Sequence, residues 1–376
     1  MNSQTQKTYP SLDADIQTDV LIIGGGLTGA CLAYFFTEAG FDTVLTEEKK
    51  LGNRNTMMDS GIIQRMPPST VNRRKISSEA PDFLSSFYRD LFQNFQEISE
   101  SLSENADCLH KNHLLYSDTI TGINDLTLEY LSRREKGIAC SLVESFPNLS
   151  IKTGIFQEHA AGIFPAVPFL HHLIDRASER GLQIFEDTGI LRFQNTAEHC
   201  ICQTSHHNLI TSKVVVCATG SEIEHFTDRK FGQKTYVCQL LSEPLENLTE
   251  QWKQTVFQNI RTNTRFYVNE NQQILLETVG NSRNILSKSE RLEHFLRELT
   301  GKPQKTVRRT IFKTTETRDF LPVIGADPIN PSLLYALPYG INGVLSALYA
   351  GKALCSFYQE NYPKAFPFLS PGRSSL

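Results

Sequence analysis

Three glycines near the N-terminus have the type and spacing that bind a dinucleotide. Gly24, Gly26 and Gly29 form a G-x-G-x-x-G motif directly after the apolar segment "DVLII". In such a motif the first glycine forms a tight turn and the second admits a pyrophosphate to the backbone. The third lets a helix pack closely on a strand. The helix that follows, from Leu27 and Thr28 onward, would present unpaired N–H groups to the phosphates.

Two acids end the next apolar segment. "DTVLT" predicts a strand, and Glu47 and Glu48 follow directly. A carboxylate at this place accepts hydrogen bonds from a ribose diol and disfavours a 2′-phosphate, which argues against NADP and leaves FAD or NAD. A glycine motif alone is weak evidence, but a complete strand–turn–helix–strand unit ending in an acid predicts a dinucleotide site.

Composition limits the other possibilities. The chain has 376 residues, of which 40% are hydrophobic and 21% are charged, and this length indicates about two domains. A net charge of -4 gives no electrostatic footprint for nucleic acid. No apolar segment is long enough to predict a membrane span, and the N-terminus does not resemble a signal peptide, so we expect a cytoplasmic protein. The eight scattered cysteines predict buried free thiols rather than disulfides or a zinc site.

The remaining patterns predict the elements that surround this unit. "VVVCA" and "LLYAL" predict further buried strands. Helical periodicity is present over residues 81–102, 126–136, 168–180 and 288–299, and the aromatic stripe of the first of these predicts a core-facing side. Residues 234–278 alternate as strands, with a hairpin turn at "NENQQ", and "VRRTIFKTTE" returns to a strand.

In the order and spacing of its motifs, the chain resembles FAD-dependent amino-acid and amine oxidoreductases of the D-amino-acid oxidase, glycine oxidase and sarcosine oxidase family. The resemblance covers nearly the whole chain. It rests on the N-terminal motif and on "NTMMDSGII", "AGIFPAVPFLHHLIDRASERGLQIFEDTGI", "VVVCATGSE", "TRDFLPVIG" and "YGINGV".

The resemblance implies an α/β fold in which a Rossmann-like FAD-binding domain is interleaved with an α+β substrate domain built on an antiparallel sheet. The expected FAD-binding segments are 16–90, 150–233 and 310–376. The expected substrate-domain segments are 91–149 and 234–309.

The same resemblance implies the cofactor contacts. Thr56 would contact the phosphates, Ile190 the adenine, and Gly325 the path from pyrophosphate to ribityl chain. The full expected set is Gly24, Gly26, Leu27, Thr28, Gly29, Glu47, Glu48, Thr56, Asp59, Ser60, Gly61, Ile190, Ala218, Thr219, Gly220, Gly325, Gly340, Ile341, Asn342, Gly343 and Val344. The last five would begin a helix whose dipole stabilises negative charge on the reduced flavin. Cys355 does not match the family's flavin-attachment cysteine, so we expect non-covalent FAD.

The substrate side departs from the family. Thr314 stands where many members have an arginine that grips a substrate carboxylate, and Ile341 stands where glycine oxidase has another. We predict Arg261 as the replacement anchor, although a solvated strand-edge charge explains it equally well. That solvated interpretation is favoured for Arg265. Tyr267 and Tyr339 are candidates to hydrogen-bond a substrate.

The expected reaction removes a hydride from the carbon next to nitrogen in an amino acid or secondary amine and gives an imine. No protein acid or base is strictly required, because the cofactor carries the hard step. Reoxidation by oxygen or by another electron acceptor stays open, as does the oligomeric state. Two alternatives remain: oxidation of a C–OH group, as in a 2-hydroxy acid, and a flavin-binding protein whose substrate site has decayed.

Overall fold

The computed structural model describes residues 7–65, 80–101, 109–196, 198–300, 306–339, 343–361 and 366–376. The strands are β1 (Ile16–Ile23), β2 (Thr43–Thr46), β3 (Ile62–Gln64), β4 (Leu109–Ser117), β5 (Ser141–Val143), β6 (Thr153–Ile163), β7 (Gln183–Phe185), β8 (Ile190–Asn195), β9 (Cys200–Thr204), β10 (Leu209–Cys217), β11 (Gln233–Ser242), β12 (Thr255–Asn259), β13 (Arg265–Val268), β14 (Ile274–Gly280), β15 (Thr306–Glu316), β16 (Val323–Ala326) and β17 (Leu333–Leu337). The helices are α1 (Leu27–Glu38), α2 (Asn55–Met58), α3 (Ala80–Ser101), α4 (Ile120–Glu135), α5 (Ala166–Glu179), α6 (Glu250–Lys253), α7 (Ile285–Thr300), α8 (Gly343–Tyr358) and α9 (Phe366–Leu369), and a 3-10 turn spans Gly220–His225.

The first sheet has the strand order β16-β17-β10-β1-β2-β7, with β9 and β8 attached beside β10. Strand β1 runs parallel to both β10 and β2. Its last four residues are buried because helices or loops cover both faces of the sheet, as the continuous apolar segment predicts. The predicted β–α–β unit is therefore present, and its helix α1 stops just before Gly40, whose φ of +83° suits a glycine at a helix end.

Helices α1, α5 and α8 pack together on the first sheet. The approach of α8 to α1 is close: a Cβ added at Gly351 would lie 2.8 Å from the carbonyl oxygen of Cys31. Helix α3 joins the same core through Phe87, Leu91 and Phe95, as its aromatic stripe predicts. In the described part of the chain, no helix is both long and apolar enough to cross a membrane.

The second sheet has the strand order β15-β11-β14-β13-β12-β4-β6-β3, with β5 beside β6. It is antiparallel except for the parallel pair of β4 and β12. Helix α7 contacts β11 and β14, and its apolar side chains join those of one face of the sheet, among them Cys238, Leu240 and Leu276, in one core cluster. The opposite face meets the segment that follows β2, and this contact places the site.

The chain passes between the two sheets more often than the expected domain bounds imply. Strands β3 and β6 pair inside the second sheet, although the expected bounds grouped residues 62–64 and 153–163 with the FAD-binding domain. Conversely, residues 91–95 of α3 pack in the core of the first sheet, although they were grouped with the substrate domain. The interleaving is observed, and the domain bounds stay a prediction.

Candidate active site

The glycine loop after β1 is held by close backbone contacts. Gly24 has a φ of +112°, and a Cβ there would lie 2.7 Å from the carbonyl oxygen of Ala218. A Cβ at Gly29 would lie only 1.9 Å from the carbonyl oxygen of Gly24. These two glycines are therefore required by the fold itself, in the turn and in the packing of helix on strand that the motif predicts.

Gly26 differs from its neighbours in the motif. Its backbone is extended, with φ at -79°, and the nearest atom to an added Cβ is the side-chain oxygen Oγ1 of Thr56, 3.3 Å away. Packing in the described structure therefore gives little reason for glycine at this position. A group that approaches the backbone here, such as a pyrophosphate, supplies the reason, and the residues present fit a dinucleotide.

Thr56 and Glu47 both contact this loop. The hydroxyl of Thr56 accepts a hydrogen bond of 3.0 Å from the backbone N–H of Leu27, so it lies at the start of α1 beside Thr28. The carboxylate of Glu47 accepts from the N–H of Gly25 at 2.8 Å and from that of Lys49 at 3.0 Å. Burial raises the pKa of Glu47 above its usual value, and these two N–H groups oppose the rise.

Two predicted adenosine contacts lie nearby, at the edge of the first sheet. Glu48 is exposed and forms an ion pair with Arg54. Ile190 is the first residue of β8 and is half-buried, next to Gly189, whose added Cβ would lie 3.3 Å from Cγ of Glu48. Glu47, Glu48 and Ile190 are thus close enough to contribute to one subsite, and their contact with adenosine stays a prediction.

The loop after β10 lies against the glycine loop. Ala218 donates its N–H to the carbonyl of Ile23 at 2.9 Å. Among the described residues, the buried hydroxyl of Thr219 has no hydrogen-bond partner, which is consistent with a ligand atom at this place. Gly220, with φ at +56°, accepts a hydrogen bond of 2.8 Å from the hydroxyl of Tyr339.

The C-terminal contacts are described only in part. Residues 340–342 lie outside the described residues, so the predicted roles of Gly340, Ile341 and Asn342 have no structural account. Gly343 and Val344 begin α8, as predicted. Gly325 lies in β16 with a φ of +143°.

The segment from Asp59 to Gly61 connects the first sheet to the second. Gly61 has a φ of +71°, and a Cβ there would lie 2.2 Å from the carbonyl oxygen of Phe164. Its N–H donates to Oδ1 of Asp59 at 2.7 Å. Tyr267, from the middle of β13, donates its hydroxyl to the carbonyl of Ser60 at 3.1 Å.

The hydroxyl groups of both predicted substrate tyrosines therefore donate hydrogen bonds to backbone carbonyls of the protein. Tyr267 attaches the second sheet to Ser60, and Tyr339 attaches the end of β17 to Gly220. Burial raises the pKa of each hydroxyl above its ordinary value. They position the two walls of the site, and substrate contact by either stays a prediction.

A cluster of charged side chains, which we call the acidic cluster, lies next to this segment: Asp59, Arg265 and Glu277. Arg265 forms an ion pair with Glu277 across β13 and β14, and Gln239 of β11 donates to the other oxygen of Glu277 at 3.2 Å. Arg265 is 9% exposed. The prediction that Arg265 is a solvated strand-edge charge is therefore wrong; it is buried because β13 is an inner strand of the sheet.

Asp59 is accessible to solvent but is deeply surrounded by protein. This desolvation raises the pKa of its carboxyl to about 6, with Glu277 raising it further and the Gly61 N–H and Arg265 opposing the rise. Among the described residues, its second oxygen, Oδ2, has no hydrogen-bond partner. An accessible carboxylate with a perturbed pKa is a candidate to contact a substrate.

Buried polar residues continue this face of the second sheet beyond the acidic cluster. Gln64 contacts Nε2 of His113 at 2.9 Å and donates to Gln258 at 2.7 Å. Burial, and next the charge of Arg133, lower the pKa of His113 to about 3, so this histidine is neutral at physiological pH. In the described part of the chain, no group of three His, Cys, Asp or Glu side chains is arranged to hold a metal ion.

Arg261 forms its ion pair outside the acidic cluster. It occupies the turn after β12, is half exposed, and donates to Asp125 of α4 at 2.9 Å. Tyr267 lies toward the end of β12 that is opposite to this turn, because Phe266, the residue before Tyr267, pairs with Phe257. This geometry gives no support to Arg261 as the carboxylate anchor.

Sequence reasoning missed Asp59, Arg265 and Glu277 as one group. A signal was present, because the predicted hairpin turn is centred on residue 271 and thereby places residues 265 and 277 opposite each other. The approach of Asp59 joins segments about 200 residues apart, and no local pattern reports it.

Comparison with known proteins agrees with this geometry. The family model described as "DAO: FAD dependent oxidoreductase" matches residues 19–356. The structure is similar to glycine oxidase from Geobacillus kaustophilus (TM-score 0.79, 17% identity, 95% of this chain and 99% of that chain covered). It is also similar to L-proline dehydrogenase from P. horikoshii (TM-score 0.76, 13% identity, 95% and 97% covered).

A curated relative is longer than this chain. YhfW of Bacillus subtilis (strain 168), provisionally named a Rieske 2Fe-2S iron-sulfur protein, is 23% identical over 228 residues, covering 56% of this chain. The match spans 42% of the length of YhfW. The structural likenesses lie below 25% identity and therefore establish the fold.

Proposed function

The chain belongs to the DAO family of FAD-dependent oxidoreductases, and from this premise we propose that it removes a hydride from the carbon next to nitrogen in an amine or amino acid, giving an imine. The observation that carries the proposal is the fold shared along 95% of the chain with a glycine oxidase. L-proline dehydrogenase, which shares that fold, is also named for an amino-acid substrate.

Three groups of described residues would hold FAD. The loop at Gly24 to Gly29 and Thr56 would bind the pyrophosphate, Glu47 the ribose, and the segment at Asp59 to Gly61 the flavin end. When bound, FAD supplies the two-electron acceptor. The protein binds and orients the substrate beside it, and its buried side chains exclude bulk water.

The binding mode is tested by acid precipitation of the purified protein. We expect yellow protein whose colour moves entirely into the supernatant and is identified there as FAD. Colour that stays in the pellet would contradict non-covalent binding, and recovery of FMN or NAD would contradict the cofactor assignment.

The reaction is tested by anaerobic bleaching of the flavin absorbance across amines, amino acids and 2-hydroxy acids. Bleaching by nitrogen compounds supports the proposal. Bleaching by hydroxy acids alone shows C–OH oxidation, and no bleaching by any compound shows a decayed site. Oxygen uptake during turnover then distinguishes oxygen from another electron acceptor. The cytoplasmic location stays a prediction.

A further inference from the structure

We propose that the substrate is an amine cation with an apolar substituent and no carboxylate, held at its ammonium group by Asp59. This inference deepens the proposed function and rests on it. It comes from the charges of the acidic cluster and from the side chains that lie next to it on the second sheet.

The acidic cluster has two carboxylates and one guanidinium. The guanidinium of Arg265 is paired with Glu277, so Asp59 remains as the accessible charge, and the cluster has a net charge of -1 when Asp59 is ionised. A substrate carboxylate beside it would be repelled by this charge. An ammonium group would meet the opposite charge, and Asp59 would accept the proton that the nitrogen must lose before a hydride can leave the neighbouring carbon.

On the side of the cluster toward Val279, the surface is neutral. Strand register places Val237 beside both Phe312 and Val279, and these three form a row on the same face as Glu277. We call them the apolar row. Because Val279 lies two residues after Glu277, the row lies roughly 7 Å from the cluster along the strand. All three side chains are partly exposed, although the opposite face is covered by α7.

Arg308 lies on the same face on the other side of the cluster, opposite Leu241, whereas the next position beyond the apolar row is uncharged. Thr314 pairs with Thr235, so a threonine pair follows the apolar row. An apolar row bounded by hydroxyls favours a hydrocarbon substituent, because burying it gains about 25 cal/mol per Å² of apolar surface.

Asp59 is oriented for a single contact. The N–H of Gly61 holds Oδ1 at 2.7 Å, so the carboxylate is fixed and Oδ2 remains to accept a charge-assisted hydrogen bond. The neutral His113 and the amides of Gln64 and Gln258 add no charge that would compete with it.

The test compares two pairs of ligands that differ by one carboxylate: 2-phenylethylamine with phenylalanine, and 3-methylbutylamine with leucine. Dissociation constants are measured anaerobically on FAD-loaded protein by calorimetry, which reports binding whether or not the flavin is reduced. We expect each amine to bind at least tenfold more tightly than either enantiomer of its amino acid. If the amines bind with this preference but never bleach the flavin, the proposed function fails and the ligand class stands.

Two variants and one control variant make the test specific. Asp59→Asn should weaken amine binding by roughly 10- to 100-fold, the range for losing a charged hydrogen bond, and should leave the binding of 2-phenylethanol unchanged. Asp13→Asn makes the same chemical change at an exposed carboxylate and serves as the control. Thr314→Arg should tighten amino-acid binding and reduce or reverse the preference, and it tests the neutral subsite even if Asp59→Asn fails to load FAD.

Three results would overturn the inference. The first is tighter binding of the amino acids, or no binding of either ligand class, in the wild-type protein. The second is an equal loss of amine and alcohol binding in Asp59→Asn. The third is a loss of amino-acid binding in Arg261→Leu, which would show that a carboxylate anchor exists in the turn after β12.

Discussion

The glycine loop of the first sheet is held by backbone contacts, whereas the cluster on the second sheet is made of charged side chains. In the loop, Gly24 and Gly29 are fixed by contacts within a few residues of chain or with one neighbouring strand. In the acidic cluster, Arg265 and Glu277 come from two strands and Asp59 from a distant segment. The first region is a local sequence motif that can bind many ligands of one chemical class. The second depends on long-range pairing, so it is free to differ between relatives with the same fold.

The largest expected effect is in the loop, for Gly29→Val. A Cβ at this position would lie 1.9 Å from the carbonyl oxygen of Gly24, and no flexible side chain can move aside to relieve it. We expect α1 to lose its place on β1 and the protein to be insoluble or to lack a cooperative thermal transition. The measurement is soluble yield and circular dichroism on heating. A folded Gly29→Val protein that binds FAD would show that the close helix–strand contact is dispensable.

The same difference between the regions explains what the sequence could predict. The β–α–β unit, its helix end at Gly40 and its acid at Glu47 are encoded within about 30 residues, and all are present in the structure. The parallel pairing of β4 with β12 and the places of β3 and β6 in the second sheet are set by contacts between residues that are far apart in the chain. Arg265 was misjudged for this reason, because a charged residue in a strand is buried or solvated according to which strands lie on either side.

In the second sheet, the largest expected effect comes from breaking the buried ion pair. Glu277→Leu removes the carboxylate that pairs with the buried Arg265, and we expect a loss of roughly 3–5 kcal/mol of folding stability. The double change Arg265→Met with Glu277→Leu should recover most of that loss, because it removes both charges. Urea unfolding of the single and double variants measures the coupling. Equal destabilisation by the single and double changes would show that the two residues do not act as a pair.

Gly26→Val tests the claim that this glycine serves the ligand and not the fold. Only the side-chain oxygen of Thr56 lies near an added Cβ, so the apoprotein should keep a transition temperature close to that of the wild type. FAD affinity should fall by at least 100-fold, or about 2.7 kcal/mol, because the side chain blocks approach to the backbone. The two quantities are measured by apoprotein melting and by fluorescence titration with FAD. Normal FAD affinity would make Gly26 a packing residue like Gly29.

The smallest expected effect concerns the stability cost of Asp59. Its folded-state pKa of about 6 lies above the usual value, so between the two values the folded protein binds more protons than the unfolded chain. The contribution of Asp59 to stability is therefore favourable at low pH and is lost as the pH rises through about 6. In the apoprotein, Asp59→Asn should raise the transition temperature by roughly 1–2 °C at pH 8, a small shift because solvent reaches this carboxylate, and should have less benefit at pH 5. Asp13→Asn at an exposed position should show no such pH dependence. A variant that is destabilised equally at both pH values would show that Asp59 supports the fold through its hydrogen bond to Gly61, as Gly24 and Gly29 support it in the glycine loop.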